Sequence, residues 1–198
     1  MVDPRSARLW GYRALFAGFA AAILFFRLLP LSSGPRPWPL PAPVAGLLPD
    51  WLYPDGWPGA DLLLCLALVW VQRRPDHLPA AAIAAVFLME DILTMRPPGL
   101  WALLALIGTE VLRSRQAITR DLPFWAEWAM VAAVLAAMVL ANRLILAVLM
   151  VPQAPLGQVL VHALGTLLLY PLVAVFVQYV LGLHRAAPGE VDSWGNRI

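Results

Sequence analysis

Residues 59–101 read GADLLLCLALVWVQRRPDHLPAAAIAAVFLMEDILTMRPPGLW. Two apolar runs, 59–72 and 77–94, are separated by Arg73-Arg74-Pro75. A third, 99–112, begins after Arg96-Pro97-Pro98. An apolar run of about 20 residues crosses the hydrocarbon core of a bilayer, whereas runs of about 10–14 are equally compatible with re-entrant segments. Length therefore leaves 59–72 and 99–112 undecided. The reading of this stretch settles whether the chain makes six membrane crossings or fewer.

The remainder of the chain sets the context. Of 198 residues, 61% are hydrophobic and 13% charged, and the mean hydropathy is +0.74. Soluble domains are nearer half apolar and a quarter charged, so too little polar surface exists to cover a water-soluble globule. This composition excludes a soluble enzyme, a disordered chain and a disulfide scaffold. Cys65 is the single cysteine, which leaves no internal disulfide and no cysteine-based metal site. All 14 basic residues are arginine, and the net charge of +2 gives no footprint for nucleic acid.

Three further apolar runs lie outside the opening stretch, at 10–29, 124–151 and 157–183. Arg5, Arg8 and Arg13 precede the first, a pattern shared with signal peptides. Its length and the proline-rich sequence that follows argue instead for a retained helix. Residues 30–59 hold 9 of the 19 prolines, which excludes a continuous helix there. Trp38, Trp51 and Trp57 fall in the same loop, where aromatic residues suit the headgroup level of a membrane.

Arginine placement decides the topology. With six crossings and a cytoplasmic N-terminus, 10 of the 14 arginines fall on the inner side: Arg5, Arg8, Arg13, Arg73, Arg74, Arg113, Arg115, Arg120, Arg185 and Arg197. Only Arg36 and Arg96 fall in outer loops. That is the positive-inside bias, and re-entrant runs would spoil the assignment of the Arg73-Arg74 pair. The expected fold is an all-α polytopic membrane protein, one domain over 1–198. It has six spans, an outer loop at 30–58 and cytoplasmic tails at 1–9 and 184–198. Continuous rather than alternating apolar runs argue against a β-barrel.

Ionisable groups inside hydrocarbon are costly and mark candidate functional sites. Arg27, Asp61, Glu90, Asp91, Arg143 and His162 all fall toward the outer ends of their runs. Arg27 and Asp61 sit close enough to the ends to snorkel to headgroups. Arg143 lies deeper and reads as an interior residue paired with Glu90 or Asp91. Asp61, Glu90, Asp91, Arg143 and His162, with the loop residues Trp38, Trp51 and Trp57, are the candidate partner or ligand contacts. On the inner side Glu110 and Arg113 have the i, i+3 spacing of a local ion pair. Ala14, Gly18 and Ala22 form a small-residue stripe suited to close helix packing in lipid. No zinc-protease, nucleophile-elbow or P-loop motif is present, and the three histidines fall at different depths. The sequence thus predicts no catalytic residues, metal or cofactor.

The ordered motifs of 59–101 carry a resemblance. Asp61-Leu62 opens a short span, Arg73-Arg74-Pro75 turns it, Glu90-Asp91-Ile92-Leu93 ends the next, and Arg96-Pro97-Pro98-Gly99-Leu100 follows. This series resembles the bacterial rod shape-determining protein family MreD. There a Pro-Asp-Leu precedes the second span, an Arg-Pro turn follows it, an Asp-Leu-Leu ends the third, and a Pro-Leu-Gly-Leu turn comes next. Ala60 stands where that family has proline, Ile92 and Pro98 each vary one position, and Phe87 stands where it often has glycine. Size and six-span layout are similar too.

The resemblance implies a non-enzymatic scaffold of the bacterial inner membrane, multi-pass with both termini cytoplasmic. It would act in cell-shape maintenance and lateral peptidoglycan synthesis. The implied direct partner is MreC, a single-span periplasmic scaffold. The class B penicillin-binding transpeptidase, RodA and MreB would belong to the same assembly, with membrane lipid around it. The resemblance further implies a fold similar to the S-component of energy-coupling-factor transporters. An S-component-like, vitamin-binding transporter subunit is accordingly the alternative function, with an outer cavity lined by Arg143, Glu90, Asp91 and His162.

Overall fold

The computed structural model describes residues 4–29, 59–119 and 123–182, with side chains over 9–29, 59–116 and 123–182. Among these residues it is all-helical. The helices are α1 (Pro4–Leu28), α2 (Leu62–Arg73), α3 (Ala80–Leu93), α4 (Leu100–Thr119), α5 (Phe124–Val148) and α6 (Leu156–Tyr179), with a short 3-10 turn at Pro75–His77. Trp38, Trp51 and Trp57, most of the proline-rich loop and the C-terminal tail lie outside the described residues.

Among the described residues three helices are long and apolar enough to cross a membrane: Leu9–Leu28, Phe124–Val148 and Leu156–Tyr179. The 59–72 run forms a helix of only 12 residues, about 18 Å at the usual rise. Every residue from Leu63 to Arg73 is buried. A helix apolar all round belongs inside a bundle, and one walled by other helices need not match the bilayer's thickness. α2 lies against α6 and α4, while the consecutive pairs α3–α4, α4–α5 and α5–α6 pack as neighbours. The core gathers on α2, with Phe16, Ile83, Phe87, Leu112, Leu135 and Tyr170 packed around it.

Helix bounds depart from the apolar runs for local reasons. Pro75 and Pro79 break the chain, so the third helix starts at Ala80, and His77 sits in the turn. The fourth outruns its apolar stretch to reach 20 residues, because Arg113, Arg115 and Gln116 are competent helix formers. α3 and α5 both end in a Schellman-type closure. Arg96 N–H reaches the Asp91 carbonyl at 3.0 Å, and Val151 N–H reaches that of Leu146 at 3.0 Å. The left-handed position is a methionine in each case, Met95 and Met150, both with φ 53°.

Pro171 lies inside α6 and cannot donate to the Leu167 carbonyl. Trp128 of α5 does so instead, its Nε1 donating at 3.0 Å. In hydrocarbon a freed carbonyl needs such a partner, so the proline break becomes a tie between two helices.

α1 packs through Phe16, Ala20 and Leu24, spaced four apart, all buried. The expected small-residue stripe points elsewhere: Ala14, Gly18 and Ala22 are all exposed. Bulky residues with complementary shapes, Phe16 edge-on to Trp70 at 5.4 Å, hold α1 in place.

Candidate functional site

The polar residues singled out in sequence come to one end of the bundle, where α1, α3 and α5 finish and α2, α4 and α6 begin. The structure gives them different tasks. Asp61 is buried and caps α2, accepting from Leu64 N–H at 3.0 Å. Its own N–H donates to Thr166 Oγ1 at 2.9 Å, and Cys65 Sγ contacts the Thr166 carbonyl at 3.1 Å. Asp61 is therefore a structural cap tied to α6, not a headgroup-reaching side chain.

Asp91 is fully buried at the end of α3. Its carboxylate accepts from Gly99 N–H at 3.0 Å and Ala102 N–H at 3.1 Å, at the start of α4. A carboxylate there answers both the unsatisfied donors and the positive end of the helix dipole. Gly99 takes φ 89° to present its N–H, a conformation that side-chain-bearing residues seldom adopt.

Glu90 is also fully buried, and its partner is Arg27 of α1, which both donates to it and neutralises it. Arg143 was expected in that place. Instead its guanidinium donates to the Ala154 carbonyl at 3.1 Å, and its own carbonyl accepts from Gln153 Nε2 at 3.1 Å. Helical spacing orders charges by depth, whereas a pairing depends on which helices are neighbours. α1 packs against α3, which brings Arg27 to Glu90.

An open cavity of about 340 Å³ lies at this end. Arg27, Arg96 and Arg143 reach its wall, as do His162, Asn142 and Gln158. Leu100, Trp101, Val139, Leu146 and Val159 supply apolar wall, and among the described residues no acidic side chain lines it. Glu90 and Asp91, expected in the lining, are withdrawn behind it in the contacts just described. His162 Nδ1 approaches the Gly59 carbonyl. Arg96 stands over the Trp101 ring with 5.9 Å to its centre.

The opposite end holds groups that sequence reasoning passed over. Glu127 is buried four residues into the fifth apolar run and accepts from Tyr170 OH at 2.5 Å. An acid inside an apolar run was the available signal. The predicted Glu110–Arg113 pair forms at 2.7 Å, and Arg113 also donates to the Leu78 carbonyl at 2.5 Å. His77 stacks on Tyr12 with ring centres 4.6 Å apart. Burial, and then the charges of Arg74 and Arg13, hold its pKa below the ordinary value, partly opposed by Asp76. Among the described residues no cluster of three His, Cys, Asp or Glu side chains is placed to hold a metal.

These features define a helical bundle of membrane-protein character with a cationic cavity at one end. Comparison with protein-family models, characterised proteins and solved structures finds no match.

Proposed function

We propose that this chain is a non-enzymatic scaffold of the bacterial inner membrane. It would resemble MreD in the cell-elongation machinery, with six crossings and both termini cytoplasmic. Its direct partner would be the single-span MreC. The transpeptidase, RodA and MreB would be reached through the same assembly. The motif residues that carry the resemblance support this reading by what they do. Asp61 and Asp91 hold helix starts, and Arg96 follows a helix closure. Such roles build a frame rather than perform chemistry.

The observation that carries the docking role is the outward face of α1. Ala14, Gly18 and Ala22 are exposed, one turn apart, and a Cβ added at Gly18 meets nothing within 4 Å. Small residues on an unfilled face let a second helix approach closely in lipid, where packing rather than hydrophobicity drives association. Gly18→Leu is therefore expected to leave the bundle folded and to cut co-purification with MreC severalfold. Undiminished recovery of MreC by a folded Gly18→Leu protein would sink the proposal for this face.

The cavity favours a second reading, a ligand-binding subunit like a transporter S-component. Mass spectrometry of the purified protein separates the two. A stoichiometric vitamin-like ligand supports the transporter subunit, and empty protein bound to MreC supports the scaffold.

A further inference from the structure

We infer that the cavity at the Arg27 end is a binding site for a phosphate group, seated between Arg96 and Arg143. Its apolar wall would receive the adjoining part of the ligand. The inference goes beyond both functional readings and depends on neither.

The charge balance of the wall is the first observation. Three arginines reach it from three separate elements, α1, the α3–α4 turn and α5, and no acid among the described residues does. Arg27 is matched by Glu90. Among the described residues Arg96 and Arg143 have no ion-pair partner. Arg143 lies next to extensive apolar surface. Leu140, Leu144, Val148 and Leu149 are exposed along the end of α5. An unpaired guanidinium at the level of Arg143 is costly unless an anion or water meets it.

The second observation is that both side chains are held. Arg143 gives one N–H to the Ala154 carbonyl and keeps the rest of its five donors. Arg96 is carried over Trp101, a cation–π contact that uses none of the guanidinium's N–H donors. A planar fork fixed in position suits phosphate oxygens, which it binds with charge-assisted, often bidentate, hydrogen bonds. Gln158 and Asn142 add neutral donors on the same wall.

Size limits the ligand. A volume of about 340 Å³ is at the small end of ligand sites. It holds a phosphate with a short polar group but not a lipid's acyl chains, which would lie along the exposed end of α5. Two sources present this chemistry: the headgroup of an anionic phospholipid, and a soluble phosphate ester.

Delipidated full-length protein in detergent tests the site by native mass spectrometry. It would be titrated with dioctanoyl phosphatidylglycerol, with dioctanoylglycerol, which has the same chains and no phosphate, and with glycerol phosphate as competitor. One saturable phosphatidylglycerol per chain is expected, with dioctanoylglycerol at least tenfold weaker. Arg96→Gln/Arg143→Gln should weaken phosphatidylglycerol at least tenfold, while Arg113→Gln at the other end should leave it unchanged. Competition by glycerol phosphate supports the site with a soluble ester sufficient. Binding without such competition supports it as a headgroup site. Equal binding of the two lipids by wild-type protein overturns the inference, and so does wild-type affinity in the double variant. If the double variant does not fold, each single substitution is measured instead, and unchanged affinity in both overturns it equally.

Discussion

Glu90 is fully buried, and among the described residues its ion-pair partner comes from a helix more than sixty residues earlier, through Arg27. Removing one member of a buried pair leaves the other uncompensated, which costs more than the intact pair contributes. Arg27 is about a third exposed, so Arg27→Leu is expected to destabilise by about 3 kcal/mol, the low end of such losses. Arg27→Leu/Glu90→Leu should recover most of that loss, because no buried charge remains. Thermal unfolding in detergent reads both variants, and a single variant that melts with wild type would show that Glu90 is stabilised by other means. The depth of these residues was legible, since Arg27 and Glu90 each fall at the same end of an apolar run. The pairing was not, because it depends on the order of helices around the bundle. That order is set by packing of Phe16, Ala20 and Leu24 onto α2 and its neighbours.

Two glycines in the middle of helices separate a packed face from an open one. A Cβ at Gly108 of α4 would lie 2.6 Å from Met138 Sδ and 3.1 Å from Val134 Cγ1 of α5, whereas at Gly18 of α1 it meets nothing. The α4–α5 contact is thus the place where this bundle uses a small residue for close approach, while the more conspicuous stripe of α1 is left outside. Sequence shows where small residues recur but not whether a neighbouring helix lies opposite. Replacing either glycine by leucine gains about 1 kcal/mol of helix propensity. At Gly108 the added side chain must also displace Met138 and press on Val134, and overpacking of this kind costs about 1–3 kcal/mol or more. Gly108→Leu is therefore expected to lower the unfolding temperature, and Gly18→Leu to hold or raise it. Equal responses would mean that α4 and α5 do not approach as closely as described.

At the scale of the whole molecule, the short runs were the difficult part of the sequence. The structure gives a physical reason for one of them: α2 is enclosed by protein along its length. A helix so placed is freed from the length that lipid contact imposes. Its all-round apolar character was visible in the sequence, but its central position was not. The proposed six-crossing arrangement then makes a definite claim about sides. The α3–α4 and α5–α6 turns share the end that carries Arg27, and the turn at Pro75–His77 lies at the other. Cys65 is buried and is the chain's single cysteine, so a Cys65→Ala background is blank for thiol labelling. Met95 and Met150 stand more than nine-tenths exposed in the first two turns, and Asp76 is in the third. In intact spheroplasts, a membrane-impermeant maleimide is expected to modify Met95→Cys and Met150→Cys. Asp76→Cys should react only after the membrane is opened. If α2 were instead re-entrant, Asp76→Cys would react in intact spheroplasts and Met95→Cys, across α3, only after the membrane is opened. Labelling of Asp76→Cys in intact spheroplasts would remove the six-crossing topology, and with it the cytoplasmic placement of the Arg73-Arg74 pair.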